Sequence, residues 1–369
     1  MVDPVKVNDI NIDVTLAMAR EKGFENSRKQ LDAILTTQFG TGPLKASTHA
    51  LLRGFNHRQT AVSYEWQRAL FGYTFFTRPT YNMSVANCYM DRRLAHLVTK
   101  DKFNVVSWIR HMLDPELSAT EGNPCPLVDD LNPWVPLFTN TIQSISGWPS
   151  LNASIGSTAP SRYGDKTSFY DGNIKELKQT FNLSASFQNM AGKFGLMLFF
   201  YWMYIGHLQQ QGYILPRFVD MAESSKNYDM RIIRFEMDPF KRYITDWTAA
   251  GTALIQSVPI GDNYSFEATG VFNTVHDQYT IPFECQHYAP ADPRILKEFN
   301  DLTVKFNPKM ADGTRSQYYQ MIPPELLNAM NFDGYPWVDL RTKELQWWLP
   351  PEKYIEYRNT YERVKESLK

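Results

Sequence analysis

Net charge is what this sequence lacks most plainly: 38 basic and 39 acidic side chains leave a formal charge of -1. Sequence-independent binding to a phosphate backbone needs a clustered basic surface, so nucleic acid is not expected as a specific ligand. Cysteine is scarce too. Cys88, Cys125 and Cys285 are odd in number and widely spaced, which excludes both a disulfide framework and a paired Cys-x-x-Cys metal knuckle. Reduced, buried thiols are expected. No apolar run reaches the roughly 20 residues of a membrane-spanning helix. The nearest, Phe194 to Leu208, holds Gly195, Gly206 and His207, so no membrane segment is predicted. The opening Met-Val-Asp-Pro-Val-Lys-Val-Asn-Asp has neither the basic nor the apolar region of a signal peptide. Folding in a cytoplasm is expected, and the sequons at Asn82, Asn152, Asn182 and Asn263 read as chance.

Catalytic and cofactor patterns are missing as well. In Gly40-Thr-Gly-Pro-Leu-Lys45 the proline removes an amide that a phosphate-cradling loop would need, and no Gly-Lys-Ser/Thr helix start follows. The histidines at 49, 57, 96, 111, 207, 276 and 287 include no pair at the three- or four-residue spacing that puts two metal ligands on one helix face. His49 and His57 are separated by Gly54. No serine sits in Gly-x-Ser-x-Gly. Cys285 and His287 project to one face of an alternating segment, where they read as an inward face ending in a rim histidine rather than as a catalytic pair. Asp129-Asp130 and Glu236/Asp238 are carboxylate pairs without a discernible cleft. No catalytic, cofactor or metal residue is assigned.

What the chain does have is length, aromatics and a clear change of period. Its 369 residues easily bury a substantial core. Aromatics make up 14%, and Tyr and Trp supply large contact areas at interfaces while keeping a polar end. From Thr180 to Gln188 apolar and polar residues alternate strictly, as in a half-buried strand. Gly195 to Leu208 is apolar on all sides at helix length, which predicts a helix buried nearly all round. Three extended segments follow, Tyr228 to Met237, Arg242 to Gln256 and Tyr279 to His287, and Asp292-Pro293 opens a short helix to Asn300. Upstream, the pattern gives a helix capped at Asn26 or Ser27, a buried strand at Leu70 to Thr77, and helices at Asn87 to Lys100 and Val105 to Leu113. Asp114 to Gly172 is rich in Pro, Gly, Ser and Asn and reads as loop. Past Pro350-Pro351 a helix carries Tyr354, Tyr357, Tyr361, Val364 and Leu368 at three- and four-residue steps, a seam that can dock.

The expected organisation is therefore a mostly helical N-terminal layer with one strand (1–113), a loop region (114–172), a strand-helix-strand domain (173–300), and an irregular arm with a C-terminal amphipathic helix (301–369). Arginines at 53, 58, 78, 92 and 93 lie among His57, Tyr73, Phe76 and Tyr81, a mixture that suits protein interfaces as well as single-stranded nucleic acid. With neutral overall charge, the protein interface is favoured.

The order alternating strand, buried helix, strand Tyr228-Asp-Met-Arg-Ile-Ile-Arg-Phe-Glu-Met237, then a long strand leading to Ile255 and Tyr264-Ser-Phe266, resembles the tube fold of bacteriophage tails. Tail-tube subunits and baseplate tube initiators share it. Phe75-Phe-Thr-Arg-Pro-Thr-Tyr-Asn82 and Thr280-Ile-Pro-Phe-Glu-Cys-Gln-His287 look like stretches of phage virion proteins. The resemblance implies an α+β fold around a β-sandwich or barrel-like tube-type sheet with one buried helix and long irregular arms. It implies a non-enzymatic virion structural protein, made in the host cytoplasm, that joins copies of itself in rings, commonly sixfold, and other tail or baseplate proteins. Extra sequence at both ends fits a tube initiator or terminator better than the repeating subunit. Candidate interface residues are Arg78, Tyr81, Tyr228 and Tyr264, together with Phe266, Tyr354, Tyr357 and Tyr361. Two other readings stay open: a neck or connector protein contacting DNA, and an enzyme with a hydrolytic site in the 114–172 loops.

Overall fold

A computed structural model describes residues 71–122, 124–150, 155–160, 162–170, 180–217, 229–238, 241–264, 277–327, 330 and 332–367. The helix expected after Asn26 or Ser27, the Gly40 to Pro43 turn, Arg53, Arg58, His49 and His57 lie outside them, as do Tyr228 and Phe266.

Strand β1 (Phe71–Phe76) is the expected buried strand, with Phe75 and Phe76 inside. Helix α1 (Val85–Met90) is shorter than the Asn87 to Lys100 helix expected, and only a 3-10 turn at Ala95–Leu97 follows. The break is local. Asp91 is extended, its carboxylate accepts from the Arg93 amide at 2.7 Å and from the Tyr204 hydroxyl at 2.7 Å, and such a side-chain turn competes with helix propagation. Helix α2 (Val105–Leu113) falls where expected, opened by Asn104, whose side chain accepts from the Val106 amide at 3.1 Å.

The stretch from 114 to 172 is less irregular than its composition suggests. It holds α3 (Leu117–Glu121), α4 (Pro136–Thr141) with proline in its first turn, β2 (Ile142–Ser146), and a ribbon of β3 (Ile155–Ser157) with β4 (Ser168–Tyr170). Next comes β5 (Phe181–Gln188), with Leu183, Ala185 and Phe187 buried as its alternation predicts. Helix α5 (Phe194–Gln210) buries all of Gly195 to Leu208 fully or partly except Met197 and His207.

Strands β6 (Met230–Met237), β7 (Ile244–Ile255) and β8 (Gln278–Pro290) match the three extended segments, β8 running three residues further than expected. Helix α6 (Pro293–Phe306) continues well past Asn300, because Ile295, Leu296, Phe299 and Thr303 form one buried stripe. The chain then gives α7 (Arg315–Tyr318), β9 (Gln320–Met321), β10 (Tyr335–Val338), β11 (Leu345–Leu349) and α8 (Pro351–Ser367).

The fold is α+β, with a nearly closed, barrel-like antiparallel sheet in the order β1-β6-β7-β8-β5-β2. The pairing of β5 with β8 runs without a break from Phe181↔Cys285 to Gln188↔Gln278. The chain forms two compact units: one comprises 74–233 and 248–290, the other 1–73, 234–247 and 291–369. In the first, α5 closes over the sheet through aromatic rings. Phe199 stacks on Phe138 at 3.9 Å and meets Phe187 at 5.2 Å and Phe283 at 5.9 Å, an arrangement that adds to the area term of burial. In the second, the sheet β10-β11-β9 packs Tyr335 and Trp337 with Met310 and Tyr319, and the Arg315 guanidinium sits 4.0 Å from the Trp337 ring and 4.7 Å from Trp348.

Candidate assembly surfaces

The two edges of the large sheet are treated differently. From Thr74 to Arg78 the outer edge of β1 is covered: the Val135 amide donates to the Phe76 carbonyl at 2.9 Å, Thr139 Oγ1 to the Thr74 carbonyl at 2.8 Å, and the Arg78 amide to the Pro133 carbonyl at 2.8 Å. Strand β2, at the other end of the order, pairs only with β5 among the described residues. Its sequence Ile-Gln-Ser-Ile-Ser leaves Gln143, Ser144 and Ser146 exposed. An uncovered strand edge is a row of donors and acceptors ready for another chain.

The face of the sheet away from the core is built from hydroxyls and amides. Register brings Ser146, Ser184 and Pro282 into one row and Ser144, Ser186 and Thr280 into the next, and Ser186 and Thr280 hydroxyls lie 2.8 Å apart. Among the described residues, the β3–β4 ribbon is an exposed element with large apolar side chains. Ile155 is 67% exposed, Phe169 52% and Tyr170 79%, and Tyr163 in the connecting loop is 89% exposed.

The residues singled out from the sequence fall into three groups. Arg78 and Tyr81 are interior residues, where a surface position had been expected. Arg78 Nε donates to the Met112 carbonyl at 3.1 Å, Nη1 to Asp129 at 2.9 Å and Asn132 at 3.0 Å, and Nη2 to His111 at 2.7 Å. Asp130 lies 3.7 Å away. Burial pulls the guanidinium down to about 10, against the upward pull of Asp130, Asp129 and Asp114. The Tyr81 hydroxyl donates to the Trp202 carbonyl at 3.4 Å. On α8, Tyr354 is buried, Tyr357 is half-buried with its hydroxyl donating to Asp333 at 3.0 Å, and Tyr361 is 38% exposed. Tyr264 is 81% exposed.

Cys285 and His287 do not share a face. His287 has φ +59, a left-handed conformation that breaks the strand's alternation and leaves the ring exposed, while Cys285 is fully buried and its thiol is pushed up to about 12 by that burial. Two other interior charges have partners of opposite sign. Arg110 holds Glu121, and the fully buried Asp114 accepts from the amides of Met83 and Glu116 and from Arg217. Burial nonetheless raises the Asp114 carboxyl above its usual range. Among the described residues no group of three or more His, Cys, Asp or Glu could hold a metal ion, and no helix is long and apolar enough to cross a membrane.

The sequence reading missed the β2 edge and the β3–β4 ribbon. Signals existed in both places. Gly147 ends β2 in a left-handed conformation, and Tyr163-Gly164-Asp165 is turn chemistry between two short extended stretches.

Among the described residues, this α+β chain has one sheet edge contacted by other segments, one edge strand paired on a single side, and an exposed apolar ribbon. The family described as "Putative phage tail tube protein" matches residues 13–363. The chain belongs to that family, and it is a structural component of the virion tail. Among solved structures, the tube-terminating cap of the anti-feeding prophage is similar at 13% identity and a TM-score of 0.25, over 43% of this chain and 83% of that one. The sheath-tube complex of an extracellular contractile injection system, PVC, in its extended state is similar at 12% identity and a TM-score of 0.22, over 43% and 82%. No curated protein matches the chain in sequence.

Proposed function

We propose that this protein is a non-enzymatic subunit that closes into rings with copies of itself, within the tail tube or baseplate, as a tube initiator or terminator. The observation that carries this reading is the β2 edge, which among the described residues pairs only with β5. Ring closure satisfies every such edge at once, since each copy's edge meets a different surface of the next. Residues 173–300, with β2 added to them, are the assembly module, and 301–369 supply arms for other tail proteins. Among the described residues, Tyr264 and Tyr361 are the exposed tyrosines of the candidate set and belong on those contacts. A non-enzymatic role fits the interior, where Arg78, Arg110 and Asp114 are spent on holding segments together.

Negative-stain electron microscopy and mass photometry of the purified chain, alone and mixed with tail proteins of the same phage, test this. Annular particles of uniform subunit number are expected. A particle that stays monomeric at every concentration and joins no tail partner would sink the reading.

A further inference from the structure

We propose that Asp312-Gly313 is a site of spontaneous backbone isomerisation, at which the folded chain converts aspartate to isoaspartate. This goes beyond the assembly reading and holds whether or not rings form.

The reaction needs only water. The Gly313 nitrogen bonds to Asp312 Cγ, a carboxyl oxygen leaves as water, and a succinimide ring closes. Water then adds back at either ring carbonyl. Addition at Cγ restores aspartate. Addition at the former main-chain carbonyl breaks its bond to the Gly313 nitrogen, and the backbone then runs through Cγ, one methylene longer. One water leaves and one enters, so no oxidant or cofactor is required. Glycine after the aspartate favours the step because it has no Cβ to shield its nitrogen.

The chain has three Asp-Gly pairs, at 171, 312 and 333, and the first lies outside the described residues. The fold treats the other two differently. Asp312 and Gly313 are the central residues of a turn closed by the Thr314 and Arg315 amides, which donate to the Ala311 carbonyl at 3.2 and 3.1 Å. The Gly313 nitrogen takes no part in those bonds. Gly313 has φ +87, and a Cβ there would meet nothing within 4 Å, so the site has room to close a ring. The Asp312 side chain is 84% exposed, and its contact with Arg315 at 3.3 Å leaves most of the carboxylate in water, where an ion pair holds weakly.

Asp333 is held on both sides. Its Oδ2 accepts from the Tyr357 hydroxyl at 3.0 Å and lies 3.8 Å from Lys353 Nζ, and its amide donates to the Met330 carbonyl at 3.0 Å. Gly334 is wedged against β11, where a Cβ would stand 2.7 Å from the Trp348 carbonyl oxygen. The next residue, Tyr335, is already in register with Trp348. Swinging this carboxyl onto the Gly334 nitrogen breaks the tyrosine bond and disturbs the strand.

Conversion at 312 lengthens the backbone between the 3-10 turn at Pro308–Met310 and α7. It leaves the charge unchanged but moves the carboxylate away from Arg315, whose guanidinium then keeps the Trp337 and Trp348 rings and the Met310 carbonyl. A virion component is not resynthesised, so the product accumulates with age.

The test ages the purified full chain at neutral pH in heavy-oxygen water. Electron-transfer fragmentation of its peptides separates isoaspartate from aspartate, and passage through the succinimide leaves a solvent oxygen behind. Both marks are expected at 312 at a level about tenfold or more above that at 333, the factor by which a hydrogen bond to a charged group holds a conformer closed. In urea the two pairs should react alike. Asp312→Glu, which would have to close a larger ring, should remove the signal at 312 with an unchanged far-ultraviolet spectrum. Native protein in which 312 stays unreacted, or reacts no faster than 333, overturns the proposal. A 333 site that remains slow in urea also overturns it, since sequence and not the fold would then set the difference.

Discussion

Arg78 closes the β1 strand and ties three separate backbone segments to it, at residues 111–112, 129 and 132. In the sequence it sits beside Phe75, Phe76 and Tyr81, a composition that reads equally as interface. Apart from the Asp130 carboxylate, its partners are backbone carbonyl groups more than thirty residues away, and carbonyls leave no mark in the side-chain pattern, so the interior role was not legible. Removing a buried charged donor leaves its acceptors without partners. Arg78→Met should cost about 3–5 kcal/mol of unfolding free energy, measured by urea denaturation. Arg78→Lys should recover less than half, because an ammonium has no planar fork to reach segments on several sides. A lysine variant as stable as wild type would show that charge alone matters here.

At the scale of elements, the parts with strong periodicity were readable. Strand β5 was visible because Leu183, Ala185 and Phe187 alternate with polar residues. Helix α5 was visible because its apolar residues run on past strand length. Strand β2 was not, since Ile-Gln-Ser-Ile-Ser has too few apolar residues to announce a strand and gains its conformation from pairing with β5. What fixes its end is Gly147, with φ +101 and no room for a Cβ against the Asn182 carbonyl. Gly147→Ala combines a left-handed alanine with that clash and should destabilise by about 1–3 kcal/mol. Hydrogen exchange gives the sharper readout: amides of β2 should exchange faster while those of β8 keep their protection. Uniform acceleration through both strands, or none in either, would mean that Gly147 does not control this edge.

For the molecule as a whole, the strand-helix-strand order between Thr180 and Asn300 carried the family resemblance, and the match over residues 13–363 extends it across nearly the whole chain. The contact surfaces were less legible, because an open edge and an exposed ribbon are defined by what fails to cover them, which depends on the folded neighbours. Their exposure has a direct consequence. Arg162 and Lys166, in the connection between β3 and β4, are both exposed, and proteolytic nicking favours exposed loop tips. Trypsin should cut the free subunit there early and leave β5 and β8 intact, since their paired core must open globally before it can enter a protease. If the ribbon lies within the contacts that form on assembly, it is held at both strands, and cleavage of its loop should slow about tenfold or more as rings form. Mass spectrometry of the digest at rising protein concentration follows it. If the loop is cut as fast in the assembly as in the monomer, the ribbon stays outside the contacts, and the open β2 edge alone must join the copies.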